Sequence, residues 1–363
     1  MNESLSFIFR DRKGRDVYSQ SSKLPMIPAS NMKIVTGIIS SFLLGKNFEI
    51  STEFRISGDR LIVSGGPSPL LRTPEAETIG KRFKKNNLTR VMFKGSLDWN
   101  EYAPGWAPED QNECYQTRIS SFSLNENCIP RRKKSRGTKI YDPHSERGVP
   151  DIRPYDTLSK KLLHDSADDV FPSFEFTTSS EGKLVYVHKE KIGDILEHLE
   201  PVSCNFSADS LYKYIHHFRT GLPGSWKGGS ETIMEVIRKL GLSEPGLLVV
   251  DGSGLSSLNK LTPSFLSRLM RFAVEHDGGK FLEYLPSPGT GTLEKRIGEF
   301  RHYGIKAKTG SLTGVATLSG YIKKLDITFS IMLNNTGKKG RYASKVVDET
   351  LAEGIDRIEK LGK

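Results

Sequence analysis

Apolar residues recur along this chain in two rhythms. From Ser30 to Leu44, the residues Ile34, Val35, Ile38, Ile39, Phe42 and Leu43 fall on one broad face at helical spacing, which predicts a buried helix. Gly45 supplies its stop. The same spacing predicts helices over KIGDILEHL, SADSLYKYIHHFRT, SETIMEVIRKLG and TPSFLSRLMRFAVEH, where Pro263 suits a first turn, and an amphipathic closing helix over YASKVVDETLAEGIDRIEKLG. Shorter runs read as strands. SLSFIFRDRKGRDVYS (4–19) predicts two strands around a turn at Asp11–Gly14, and STEFRISGDRLIVSGGPSPLL (51–71) a hairpin ending in a glycine-proline turn. GLLVVDGSGLS (246–256) predicts a buried strand running into a glycine turn, and YGIKAKTGS, GVATLSGYIKK and DITFSIMLNN predict three strands with turns between them.

Strands joined in sequence by short turns favour an antiparallel sheet. With strands at both ends and helices in the middle, the simplest architecture is an α+β sheet closed by both ends of the chain. Between 74 and 184 the texture changes: helix-like PEAETIGKRFKKNN precedes short strands, a basic run and many prolines. This predicts an inserted second domain over 74–184, with 1–73 and 185–363 forming the main unit. No internal repeat is visible.

Composition narrows the class. The chain has 363 residues, 36% hydrophobic and 26% charged, which fits a globular protein of one large or two ordinary domains. Six of the ten net positive charges lie in RRKKSRGTK (131–139). That run is either a solvated loop or a patch for a polyanion. No aromatic residue interleaves with it and no nucleic-acid module surrounds it, so a nucleic-acid partner is not expected. The three cysteines, Cys114, Cys128 and Cys204, do not make a disulfide framework; a Cys114–Cys128 bridge is allowed but not required. The longest apolar run, near 34–44, is too short to span a bilayer. MNESLSFIFRDRKG lacks the apolar core of a signal peptide, so the expected location is cytoplasmic for the sequence as it stands, and extracytoplasmic if a leader has been removed. Adjacent His216 and His217 point to different faces of a helix. No zinc spacing and no complete phosphate-loop or dinucleotide pattern occurs, so no metal or cofactor is expected.

The start of the first helix is electrostatically odd. Lys33 follows Ser30 by one turn, where the macrodipole favours Asp or Glu and a capping box would want Glu or Gln. Residues i and i+3 share a face, so Lys33 can reach Ser30. A serine hydroxyl is a poor nucleophile until a base takes its proton. Burial and the positive helix end both favour a neutral lysine, so the disfavoured placement suits a base. S-x-x-K occurs at Ser30, Ser180, Ser210 and Ser257, but only Ser30 opens a strongly apolar helix. A second element is Lys308-Thr309-Gly310, on a strand before a turn. Such a strand can offer backbone N–H groups to a peptide, a threonine to a carboxylate and a lysine as positive charge. A third is Ser-x-Asn, with candidates at Ser123/Asn125, Ser203/Asn205 and Ser257/Asn259; Ser203 and Asn205 precede a helix on a loop.

These three elements resemble the set shared by penicillin-binding proteins and β-lactamases. PASNMKIVTG, VSGGPSPLL, SSFSLNENC, VDGSGLSSLNKLTP, GTGTLEKRI and IKAKTGSLTGVATLSGYI resemble, in order, the blocks of the D-alanyl-D-alanine carboxypeptidase/endopeptidase class of penicillin-binding proteins (low-molecular-mass class C). The resemblance touches most of the chain outside 74–184. It implies a β-lactamase/transpeptidase-like antiparallel sheet flanked by helices, an all-helical subregion, and an inserted domain smaller than the family's. It implies a catalytic set of Ser30 as acylated nucleophile, Lys33 as base, Ser203 as proton relay, Asn205 and Lys308. Thr309, Gly310 and Ser311 would bind substrate, and the N–H groups of Ser30 and Ser311 would form the oxyanion hole. The implied ligands are peptides with a C-terminal D-amino acid, and β-lactams. Related Ser–Lys chemistry (a D-amino-acid amidase, an esterase or a β-lactamase) is the alternative, with a noncatalytic protein holding an acidic polymer behind it.

Overall fold

A computed structural model describes residues 3–98, 101–130, 143–144, 148–151, 153–163, 173–276, 278–337 and 340–361. The basic run 131–139 lies outside the described residues. In chain order, β1 (Ser4–Arg10) and β2 (Asp16–Gln20) form a hairpin, α1 (Met32–Leu44) follows a short 3-10 turn (Ala29–Asn31), and β3 (Glu49–Ser57) pairs with β4 (Arg60–Gly65). Next come α2 (Thr73–Lys81), β5 (Arg90–Gly95), the short pair β6 (Cys128–Pro130) and β7 (Gly148–Pro150), α3 (Pro154–Leu163), β8 (Ser173–Phe176) and β9 (Lys183–Lys191). Helices α4 (Ile192–Val202), α5 (Asn205–Thr220), α6 (Trp226–Lys239) and α7 (Pro263–His276) precede β10 (Ile305–Leu312), β11 (Val315–Ile322), β12 (Ile327–Asn334) and α8 (Gly340–Leu361).

The main sheet has the order β10-β11-β12-β1-β2 and is antiparallel throughout. Both chain ends meet in it, because β1 pairs with β12 from Ser4↔Asn334 to Arg10↔Thr328. The two faces of β12 explain the layering. Phe329, Ile331 and Leu333 point into one core with Ala343, Val347, Leu351 and Ile355 of α8. Thr328 points the other way, where its hydroxyl meets that of Ser267 on α7 at 2.9 Å. A period of two thus places one helical layer on each side of the sheet. The α+β class and the antiparallel sheet flanked by helices agree with the sequence reading.

Helix α1 lies inside the helical layer against α4, α5 and α7. Every residue from Met32 to Ser40 is buried, which is why the sequence is apolar nearly all round. A second sheet, β8-β5-β4-β3-β9, covers α2 and α3 with a separate core that includes Phe54, Val63, Phe93, Tyr155 and Leu158. It joins strands from both sides of positions 73/74 and 184/185: β4 runs parallel to β5, and β3 antiparallel to β9. Cys114 and Cys128 form a disulfide, with Cα atoms 5.7 Å apart, resolving the pairing that spacing left open. No helix among the described residues is long and apolar enough to cross a membrane.

One expected strand is absent. Residues 246–256 make only an isolated bridge, Leu248 with Lys260. Side chains replace the ladder there. Asp251 accepts from the N–H groups of Gly254 (2.8 Å) and Ser256 (2.6 Å), and Asn259 Oδ1 accepts from Val250 N–H (2.8 Å). Backbone groups satisfied by Asp and Asn need no strand partner.

Candidate active site

Ser30 sits in the 3-10 turn just before α1. Ala29 before it is fully buried with φ of 46°, an uncommon conformation for a residue with a side chain. The surroundings hold it there. Asn31 Nδ2 donates to Ser319 Oγ at 2.7 Å, Thr317 Oγ1 donates to the Pro28 carbonyl at 2.9 Å, and Gly254 packs directly against the Ala29 carbonyl. The nucleophile candidate is therefore fixed by the main sheet on one side and the Asp251 loop on the other.

Lys33, wholly buried, makes three contacts: Ser30 Oγ at 3.0 Å, Asn205 Oδ1 at 2.7 Å and the Ser253 carbonyl at 2.7 Å. Burial lowers its pKa, against the opposing pull of Asp209 and Glu200. Asp209 in turn holds the Ser253 loop, accepting from Gly252 N–H (2.7 Å) and Ser253 N–H (2.9 Å).

Ser203 and Asn205 come from the junction of two helices rather than a free loop. Ser203 caps α4 in a left-handed conformation, with φ of 59°, and Asn205 is the first residue of α5. The Asn205 amide nitrogen donates to the Tyr115 carbonyl at 2.8 Å. That contact fixes the amide so that its oxygen faces Lys33.

Lys308, also wholly buried, donates to Ser203 Oγ at 2.8 Å from β10. Its pKa falls to about 7, first through burial and then through the neighbouring Lys33. Thr309, Gly310 and Ser311 follow on β10, which is an edge of the main sheet. Gly310 has a steric reason to be glycine. A Cβ there would lie 2.9 Å from the Ser30 nitrogen and 2.9 Å from the Pro28 carbonyl, and would also strike Thr317 Oγ1. Only a bare Cα lets the strand edge approach the Ser30 backbone this closely. All eight expected site residues thus gather where α1, the α4–α5 junction and β10 meet. Of the other Ser-x-x-K lysines, Lys213 is buried and paired with Asp98, away from Ser30.

A family model described as the D-Ala-D-Ala carboxypeptidase 3 (S13) family matches residues 4–168 and 157–354. The chain belongs to that family. It is a serine-type carboxypeptidase of the penicillin-binding class. Carboxypeptidase DacB of Mycolicibacterium smegmatis is 26% identical over 362 residues, covering 91% of this chain and 76% of the relative. The crystal structure of penicillin binding protein 4 from Haemophilus influenzae has a TM-score of 0.82 at 18% identity, covering 97% of this chain and 96% of that one. The same Haemophilus protein complexed with a β-lactam has a TM-score of 0.73 at 18% identity, with the same coverage.

Two features of this S13 site escaped the sequence reading. The Tyr115 carbonyl, from the inserted segment, is a backbone contact and leaves no residue signature. Glu200 did leave one. It falls four residues after Leu196 and eight after Ile192, on the apolar stripe of α4, and is fully buried. Neither carboxyl oxygen has a hydrogen-bond partner among the described residues. Burial lifts its pKa to about 7, opposed by Lys308 and Lys33.

Proposed function

We propose that the chain cleaves the amide bond before a C-terminal D-amino acid, as a D-Ala-D-Ala carboxypeptidase or endopeptidase, through an acyl-enzyme on Ser30. The hydrogen-bond count at Lys33 carries this reading. A neutral amine has two N–H groups and one lone pair. The Asn205 and Ser253 oxygens can only accept, so they take the two N–H groups. The lone pair is then left for the hydroxyl of Ser30, 3.0 Å away. That is the arrangement of a general base poised on its nucleophile.

As the Ser30 oxygen attacks the substrate carbonyl, its proton passes to Lys33. The N–H groups of Ser30 and Ser311 face the developing oxyanion; one such donor contributes about 3–4 kcal/mol. The C–N bond breaks, and the leaving amine takes a proton relayed through Ser203. Water then attacks the ester, with Lys33 again accepting the proton, and the shortened peptide leaves. Lys308 and Thr309 hold the C-terminal carboxylate, while the free edge of β10 accepts the peptide as an added strand. A β-lactam meets the same attack and leaves a ring-opened ester on Ser30. The β-lactam complex of the Haemophilus relative supports this ligand class. Residues 74–184 act as an insertion that completes the second sheet and supplies the Tyr115 contact. The Cys114–Cys128 disulfide supports an oxidising, extracytoplasmic setting.

Intact mass after incubation with penicillin tests the nucleophile: the native chain gains one adduct and Ser30→Ala none. An adduct on Ser30→Ala would overturn the assignment. Turnover of a peptide ending in D-Ala-D-Ala, beside a D-amino amide and a simple ester, tests the substrate class.

A further inference from the structure

Beside the α4–α5 junction, four side chains unused by the chemistry above converge on one point. Glu126 lies in a 3-10 turn (Asn125–Asn127), His144 in a turn at 143–144, His198 on α4 and Cys204 at the N-cap of α5. One ligand atom from each lies within 4.8 Å of all the others. We propose that these residues form a binding site for a zinc-like divalent cation.

The geometry is that of a hydrogen-bonded cluster compact enough to close on an ion. His198 Nε2 is 3.0 Å from Glu126 Oε1, while Cys204 Sγ and His144 Nε2 are 3.2 Å and 2.9 Å from Oε2. Around a tetrahedral zinc ion with bonds of about 2.0–2.3 Å, donor atoms stand roughly 3.3–3.8 Å apart. Small side-chain movements close the observed set onto an ion. The donor types agree: one thiol, two imidazoles and one carboxylate suit zinc over magnesium or calcium, which prefer oxygen alone. A thiolate and a carboxylate would offset a dication, although the Arg72 guanidinium beside Glu126 leaves the cluster with a net positive charge. Arg72 donates to Glu126 Oε1 at 2.6 Å and orients the carboxylate from outside.

The backbone is bent to deliver these donors. Asn125, Glu126 and Asn127 have φ of 52°, 59° and 54°, three consecutive non-glycine residues in the left-handed region. Such strain persists where surrounding structure enforces it, often at functional sites. Asn127 Nδ2 on Arg118 O (2.9 Å) and Asn125 Oδ1 on Thr73 N–H (3.2 Å) brace the turn, and the Cys128 disulfide anchors its end. Glu126 and Cys204 are buried, while both imidazoles remain about one quarter exposed, leaving a path for an ion. A cavity of about 140 Å³ lined by Glu126, His144, Ser203 and Asn205 adjoins the cluster.

Without an ion, the Cys204 thiol donates to Glu126. On binding, the metal–sulfur bond forms and the thiol proton leaves to solvent. Cys204 stands between Ser203 and Asn205, so an ion here ties down the junction that holds both. Binding itself does not depend on the proposed peptide chemistry.

Cobalt serves as a visible stand-in for zinc. The full chain, disulfide intact and stripped with a chelator, is titrated with Co²⁺ and then Zn²⁺. The expected result is one saturable Co²⁺ per chain, with the visible bands of tetrahedral cobalt and a thiolate-to-cobalt charge-transfer band, both lost as Zn²⁺ displaces it. Cys204→Ser should lose the charge-transfer band. His198→Ala and His144→Ala, at partly exposed positions, should weaken affinity by about 100-fold or more. Absence of saturable binding, a charge-transfer band that survives Cys204→Ser, or unchanged affinity in both histidine variants would each overturn the proposal. Near-ultraviolet circular dichroism separates loss of the site from loss of the fold.

Discussion

Glu200 gives the sharpest test of how the two active-site lysines are tuned. It lies behind α1, where a Cβ on Gly37 would come within 2.9 Å of its Oε1. Gly37 is four residues past Lys33, about 6 Å along the helix axis. At a separation of roughly 6–8 Å and an effective dielectric constant of about 20, a full negative charge favours a lysine ammonium by ~2–3 kcal/mol. That corresponds to ~1.5–2 pH units. With its own pKa near 7, Glu200 is only partly ionised around neutrality. The working shift therefore falls to ~0.5–1 unit, shared by a coupled set. Glu200→Gln keeps the shape and removes the charge. The protonated forms of Lys33 and Lys308 both lose a favourable partner, so both pKa values fall. Activity needs Lys33 neutral and Lys308 charged, which gives a bell-shaped profile. The acid limb reports the loss of one proton from the pair, and the alkaline limb the loss of the next. Both limbs should move to lower pH in the variant by ~0.5–1 unit. The assay is the second-order rate of acylation by a fluorescent penicillin between about pH 5 and pH 9. An acid limb that stays within ~0.2 unit of the native one, or moves up, would refute the claim that Glu200 offsets the effect of burial on the lysine charges.

Gly310→Ala should slow acylation by about 10²-fold or more while leaving the fold intact, because the new Cβ pushes the β10 edge from the Ser30 nitrogen and spoils an oxyanion donor; stopped-flow labelling with penicillin measures it. Asp251→Ala should lower stability by on the order of 3–5 kcal/mol, read by urea unfolding. It strands donors from Trp106 (2.8 Å), Gly254 (2.8 Å), Ser256 (2.6 Å) and Asn259 (2.7 Å), whereas a loss under about 1 kcal/mol would mean that the loop repairs itself.

What the sequence revealed and what it hid follow one physical division. Periodicity reports which face of an element is buried, so α1, α8 and the strands of the main sheet were legible in place. Local motifs report chemistry carried by neighbours in sequence, so Ser30 with Lys33 and Lys308 with Thr309 and Gly310 stood out before their meeting point was known, whereas Ser203 with Asn205 was one of three Ser-x-Asn matches and was singled out by the family resemblance. Interactions that replace regular hydrogen bonding were not legible. Residues 246–256 have the composition of a buried strand, yet Asp251 and Asn259 satisfy that backbone locally. The second sheet was hidden because β9 returns to β3 across more than a hundred intervening residues, which no local pattern encodes. Residues 126, 144, 198 and 204 likewise share no recognisable spacing; only the fold brings them within ligand distance. Lys33 joins the two kinds of information. Its place at the positive end of a helix was a local anomaly that marked it out. What makes the position useful is tertiary: the Asn205 amide, held by Tyr115, and the Ser253 carbonyl, held through Asp209, take two N–H groups and turn the remaining lone pair toward Ser30. A cation set against the helix field would be a cost with no return, whereas a neutral amine at the same position incurs no such penalty and can accept the Ser30 proton in acylation and the water proton in deacylation.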